Sequence, residues 1–225
     1  MQPIAYGMAV YIKNKQELMI IEMKEACICV GMSSRRLSLS FCAYPGDIVA
    51  ITGGGEGDES AVLRAILGLQ PLAGGYVSVD AEPVLPQTSR LYRRHMSYVP
   101  SSLAFGSELV SYIARQVHGC HTKPTDVLSA LTYELRMLSV PDDVAGKPFD
   151  TLPAPEAQRV AIAVAGSAGR KALILDSPTS AQDEAGRLAV MSYLCSAKMK
   201  DVTIVVSTHD PAILSVCNKK VSLKV

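Results

Sequence analysis

The sequence predicts an α/β fold, and three observations carry that prediction. Short apolar runs that read as strands alternate with stretches of helical spacing along most of the 225 residues. One such run, residues 48–52, passes into the glycine-rich turn Gly53-Gly54-Gly55-Glu56-Gly57-Asp58 and then into a helical stretch, the grammar of a phosphate-binding loop. Hydrophobic residues make up 48% of the chain and charged residues 19%, a balance that suits a packed core rather than disorder. The alternation implies a largely parallel sheet covered on both faces.

In chain order, residues 1–18 form an extension without a motif, although Met8-Ala9-Val10-Tyr11-Ile12 has the makings of a short strand. Residues 19–23 and 26–30 read as two strands separated by charge, and residues 37–41 alternate apolar and polar side chains at the period of a half-buried strand. Tyr44-Pro45-Gly46-Asp47 is a turn. A helix opening near Glu59 carries Val62, Leu63, Ile66 and Leu67 on its apolar side, and Gly68 and Pro71 help to end it. Residues 76–80 and 96–99 read as strands. Helical spacing returns over residues 107–117 and 125–138, with Pro124 at the start of the second helix and Pro141 beyond its end. Residues 156–168 and 182–198 follow as helices, and residues 172–176, 202–207 and 221–225 as strands. There is no internal repeat and no low-complexity segment.

Composition excludes several classes. A net charge of +1 gives no global field for nucleic acid or anionic membrane. No apolar run approaches the ~18 residues of a membrane span, and no signal-peptide pattern opens the chain. Six cysteines without paired zinc spacing point to buried thiols in a reducing compartment, and core packing accounts for Cys27 and Cys29 on one strand face. His118-Gly119-Cys120-His121 offers three close ligands without a fourth, a weak metal signal. Arg93-Arg94-His95 reads as a solvated face.

A working phosphate loop has the form G-x-x-x-x-G-K-[ST], its backbone N–H groups and Lys holding the phosphates. Gly53 and Ser60 stand at the right spacing, but Asp58 takes the place of the second glycine and Glu59 that of the lysine. Two unit charges ~4 Å apart interact by about 4 kcal/mol at an effective dielectric near ~20, and exchanging Lys for Glu roughly doubles the loss before screening. A micromolar complex has only about 8 kcal/mol to lose. Divalent cations offset part of the repulsion, so the expectation is weak binding of ATP with Mg²⁺ at most, and no tightly held cofactor.

Gln158-Arg159-Val160-Ala161-Ile162-Ala163, the run from Ala172 through Asp176 to Asp183, and Val205-Val206-Ser207-Thr208-His209-Asp210 follow the glycine loop in an order that resembles the ATPase subunit of ABC transporters. The resemblance covers residues 19–225. It implies a P-loop NTPase-like ATP-binding core in a single domain, an N-terminal antiparallel β region, and an inserted helical lobe over about residues 103–155. It also implies a head-to-tail dimer in which one chain's phosphate loop and its partner's signature enclose each nucleotide.

Against that family pattern the departures are many. Ile28-Cys29-Val30-Gly31 has no aromatic ring where the family stacks adenine. The nucleotide-binding stretch, Gly53, Gly54, Gly55, Gly57, Asp58, Glu59 and Ser60, is a degenerate Walker A motif. Ser101 stands for the γ-phosphate-sensing Gln, and Ser177 for the catalytic Glu, a group that contributes ~100-fold to ~10,000-fold where present. The signature reads Leu152-Pro153-Ala154-Pro155-Glu156; Pro155 has no N–H to donate, and Glu156 would face phosphate. Ser60 and Asp176 match the family's Mg²⁺-side pair, Asp183 is kept, and His209 matches its switch histidine. Each of these has a plain reading beside the functional one: Ser60 as a helix cap, Asp176 as a turn cap, His209 as a strand-end polar residue.

The expectation is a pseudo-ATPase: a catalytically degenerate ATP-binding-cassette subunit that serves assembly, coupling or regulation in a membrane transporter complex. It would be cytoplasmic and peripheral at the inner face of the membrane, with a permease subunit and another ABC ATPase, identical or different, as partners. By resemblance the permease contact falls on residues 101–112, at Leu103, Phe105, Leu109 and Val110. One alternative is a weak or unconventional Mg-ATPase working with a partner subunit, and another is a soluble interaction protein on the same scaffold.

Overall fold

The computed structural model describes residues 19–30, 35–55, 57–119 and 122–224. The 1–18 extension with its Met8–Ile12 strand, Gly31, Glu56, and Cys120 and His121 lie outside the described residues. Two sheets organise the described residues. Strands β1 (Ile21–Val30), β2 (Arg35–Ala43), β4 (Gly74–Val79) and β5 (Glu82–Pro83) form an antiparallel sheet in the order β2-β1-β4-β5. Strands β3 (Ile48–Thr52), β6 (Met96–Val99), β7 (Ala172–Asp176), β8 (Thr203–Ser207) and β9 (Lys219–Ser222) form a parallel sheet in the order β6-β7-β8-β3-β9.

Strand period and burial explain how the layers stack. Along β3, Val49 and Ile51 join α1 (Asp58–Ile66) and the inner face of the antiparallel sheet in one core, while Ile48 and Ala50 join the other. That second core holds α3 (Val110–His118), α4 (Pro124–Met137), α5 (Ala154–Ser167) and α6 (Glu184–Leu194) against the opposite sheet face. An interior strand covered on both faces reads as an apolar run, as over residues 172–175, whereas β6 is an edge strand that carries Ser97 and is bounded in the sequence by Pro100. Among the described residues, no helix is long and apolar enough to cross a membrane.

Elsewhere the structure corrects the sequence reading. The first two strands are one strand: β1 carries a bulge where its pairing shifts between Met23 and Ala26, and Glu25 takes the left-handed conformation at φ 47°. Gly75 crosses the bulge at φ 67°, where a Cβ would collide with the Glu25 carbonyl. Cys27 and Cys29 face outward from this sheet, half-buried and exposed, while Ala26 and Ile28 fill the core. Helix α3 begins at Val110 rather than Ser107, because Leu109 is held in a bridge to Pro148. Helix α6 begins after Asp183, whose carboxylate accepts from Gly186 N at 2.8 Å, and it gives way to a 3-10 turn at Ala197–Asp201. The last strand lies at Lys219–Ser222, two residues earlier than the apolar pattern suggests. Strand β5 and the helices α2 (Ser89–Arg93) and α7 (Pro211–Val216) are too short for periodicity to announce.

Asp47 ties the start of β3 to β9. Its carboxylate accepts from Lys219 Nζ at 2.6 Å, Tyr44 N at 2.7 Å and Asn218 Nδ2 at 2.8 Å. Burial alone would raise its pKa; the bonds from Lys219, Tyr44 and Asn218 together outweigh burial and lower it. A carboxyl lowered by folding stabilises the fold above its unfolded pKa, and loses that contribution as pH falls through the folded value. Acid titration of stability should therefore show the difference between Asp47→Asn and the parent shrinking as pH drops below about 4.

Deeper in the second core, Tyr193 Oη donates to Glu134 Oε2 at 2.7 Å, and both residues are fully buried. A Cβ on Gly166 would overlap the Tyr193 hydroxyl. Gly166→Ala should cost roughly 1–3 kcal/mol and Tyr193→Phe roughly 1–3 kcal/mol. The double variant should cost less than their sum, because the new methyl takes the space the hydroxyl leaves; thermal unfolding of the four proteins measures this.

Candidate functional site

The glycine turn joins β3 to α1. Gly53 sits at φ 78°, where a Cβ would lie 2.7 Å from Ser222 Oγ, and Gly57 caps α1 at φ 83° with no side-chain cap bond. The turn folds around its own acids. Asp58, fully buried, accepts from Gly55 N through Oδ2 at 2.6 Å and packs so close to Gly54 that a Cβ there would stand 2.8 Å from its own. This places a carboxylate at a helix N-terminus, where the helix dipole favours it. Glu59, also buried, meets His209 Nε2 through Oε1 at 3.1 Å, joining α1 to the segment after β8.

One turn into α1, Ser60 Oγ donates to Asp176 Oδ2 at 2.6 Å, so Ser60 is no helix cap. Asp176 is no turn cap either. Its other oxygen accepts from Ser207 Oγ at 2.7 Å, and Tyr98 Oη approaches Oδ2 at 3.5 Å. Burial, and then the Asp176 charge, push the Tyr98 phenol up to about 12. Ser177 follows in the left-handed conformation at φ 51°, its N–H shared between the Ser207 carbonyl at 3.1 Å and Oγ at 3.0 Å.

A second cluster surrounds the start of α5. Leu152 is half-buried, Pro153 and Ala154 are exposed, and Pro155 and Glu156 occupy the first turn, half-buried. Leu152 and Ala154 share a cavity of about 320 Å³ with Ser101, Leu103 and Phe105. Phe105 meets Phe149 edge to face, ring centroids 4.8 Å apart. Of the residues expected to meet a permease, Leu109 is exposed and Leu103 and Phe105 half-buried; Val110 is fully buried and belongs to the core.

Two glutamines connect the clusters. Gln158 Nε2 donates to the Ser177 carbonyl at 2.9 Å and to Ser180 Oγ at 3.0 Å. Gln182 Nε2 donates to Gln158 Oε1 at 2.9 Å and to the Pro155 carbonyl at 2.8 Å, while its Oε1 accepts from Arg159 at 2.6 Å. Sequence reasoning missed the role of Gln182; the available signal was an amide, Gln158, among apolar positions of one helix, with a second amide just ahead of the next helix. Among the described residues, no group of three or more His, Cys, Asp or Glu side chains is arranged to hold a metal. His118 bonds Ser167 Oγ at 3.0 Å.

A parallel sheet whose loop strand leads into a glycine turn and helix, flanked by an antiparallel sheet and a helical layer, defines the class as a P-loop-type nucleotide-binding cassette. The family model for ABC transporters matches residues 37–180, and the chain belongs to that family. It is 30% identical over 205 residues to an ABC transporter ATP-binding protein of Treponema denticola, covering 88% of this chain but only 39% of that relative. It is 30% identical over 176 residues to the cytochrome c biogenesis ATP-binding export protein of Nitrobacter winogradskyi, covering 77% of this chain and 83% of that one. Among solved structures, a dimeric bacterial ABC transporter cassette superposes with a TM-score of 0.79 at 21% identity over 91% of this chain and 94% of that one. The ATP-binding subunit of another ABC transporter gives 0.77 at 20% identity, over 91% and 85%.

The geometry at Ser177 makes a prediction. Ser177→Gly should leave stability within about 0.5 kcal/mol of the parent, since relief of left-handed strain offsets glycine's extra chain entropy. Ser177→Val should cost roughly 2 kcal/mol. Urea denaturation distinguishes them.

Proposed function

We propose that this chain is the cassette subunit of a membrane transporter complex and that it supports assembly, structural coupling or regulation without turning over ATP. The observation that supports this reading is the Asp58 carboxylate held 2.6 Å from Gly55 N. A loop N–H that would face phosphate faces the chain's own anion, and beside it Glu59 is paired with His209 where a nucleotide would need a cation. Ser60 and Asp176, the residues that would hold Mg²⁺, are bonded to each other, and Ser177 offers no carboxylate to orient water. These residues do not fit a tightly held Mg-nucleotide.

The amide network from Gln158 to Gln182 suits a coupling role, since it links the start of α5 to the Ser177–Ala181 turn without any bound group. The partners follow from the family reading: a permease meeting the Leu103, Phe105 and Leu109 surface, and a second cassette, as in the dimeric structural relative. The chain would then sit at the inner face of the membrane. One observation favours the rival reading of a weak Mg-ATPase assisted by a partner: Ser60, Asp176 and His209 all remain grouped at the loop.

Calorimetric titration with Mg-ATP separates the readings. The parent should show no binding in the micromolar range, while Asp58→Gly combined with Glu59→Lys should gain at least ~100-fold in affinity, about 2.7 kcal/mol. Micromolar binding by the parent, or ATP turnover lost on Asp176→Asn, would overturn the proposal.

A further inference from the structure

Arg93-Arg94-His95 is completed in space by residues far along the chain. β6 and β7 run side by side with Met96 opposite Ala172, so Arg170 and Lys171 arrive beside His95, and Lys171 N donates to the His95 carbonyl at 3.0 Å. Burial, and then the charges of Lys171, Arg94 and Arg170, hold the His95 imidazole below its usual range, with Asp80 opposing. The bonds these arginines make are to neutral groups. Arg170 donates to the carbonyls of Arg93 and Met96 at 3.1 Å each and of Val117 at 2.7 Å. Arg93 donates to the Leu67 carbonyl and to Ser89 Oγ, both at 2.9 Å. Arg90 and Arg94 are exposed. The β4–β5 hairpin contributes two acids, Asp80 and Glu82, against the side chains of Arg90, Arg93, Arg94, Arg170 and Lys171.

The Arg93 bond to Leu67 also ties this patch to an apolar groove. Ser89 packs against Gly68 so closely that a Cβ at 68 would lie 2.6 Å from the Ser89 Cβ. Between the end of α1, the start of β4 and the segment after β5 opens a groove of about 420 Å³, lined by Leu69, Pro71, Tyr76, Leu85 and Pro86 among others. Leu69, Leu85 and the neighbouring Leu91 are each more than half exposed. Large apolar side chains grouped in this way on a surface mark a contact site.

We propose that this groove takes a segment of a partner protein bearing apolar anchors flanked by Asp or Glu. A concave apolar slot accepts side chains offered by a peptide better than it accepts a flat bilayer, and the arginines of α2, which adjoins the groove where Ser89 meets Gly68, select acidic flanks. The proposal concerns a surface apart from the glycine loop, so its outcome is independent of whether ATP is turned over.

Selection from a displayed library of random peptides on the purified chain tests it. Enriched peptides should place Asp or Glu beside Leu, Ile or Phe. A synthetic copy of the strongest should lose about tenfold or more in affinity for Leu85→Asp and for Arg90→Glu combined with Arg94→Glu. Both variants should keep the parent melting temperature, because the replaced side chains are exposed. Peptides without acidic flanks, no enrichment at all, or binding indifferent to Leu85→Asp would overturn the proposal. Flotation of the chain with phosphatidylglycerol vesicles through Arg90 and Arg94, without acidic peptide binding, would assign the surface to membrane and overturn it. Self-association abolished by Leu85→Asp would assign it to a second copy, with the same result.

Discussion

Asp176 is the junction on which the loop side of the molecule depends. Its two carboxylate oxygens receive the hydroxyl protons of Ser60 from α1 and Ser207 from β8, while its own backbone closes β7. A carboxylate at 3% exposure is costly without strong donors. Here the donors come from a helix and a strand that the chain must bring together before the charge is satisfied. The register of β7 on β8 and the seating of α1 over the sheet are thus fixed by the same group.

Around that junction the acids and amides divide the work. Asp58 accepts from Gly55 N within the turn and Glu59 meets His209, so both acids are engaged by the fold itself. The amides Gln158 and Gln182 carry no charge and span between helix and turn with several bonds each. These bonds join the first turn of α5 directly to the Ser177 turn.

Much of this was legible in the sequence, and the limits are physical. β7, buried along its length, wrote itself as an apolar run up to Asp176, and Pro100 marked the end of β6, so residues 172–176 and 96–99 emerged with their observed bounds. The glycine turn and the order of later motifs were enough to reach the family. The bulge at Glu25 was not legible, because two charges inside a strand look like a break until the partner strands are known. Nor was the Glu59–His209 pair, which joins residues 150 positions apart. Sequence showed Asp58 as a lost glycine; only the fold turns its carboxylate back onto Gly55. Val110 carried the right apolar character for a contact surface but points into the core.

The place of β3 in its sheet has a consequence for biosynthesis. Ile48 pairs with Ile204 on one side and Val49 with Lys219 on the other, so this strand has no parallel neighbour from the first half of the chain. While the ribosome is making the helical segments, the loop-bearing strand must wait, apolar and unpaired, until the distant strands emerge. Long-range parallel pairing of this kind closes late and slowly. The antiparallel sheet, whose strands all lie within residues 21–83, supplies the apolar face that Val49 and Ile51 meet in the finished fold.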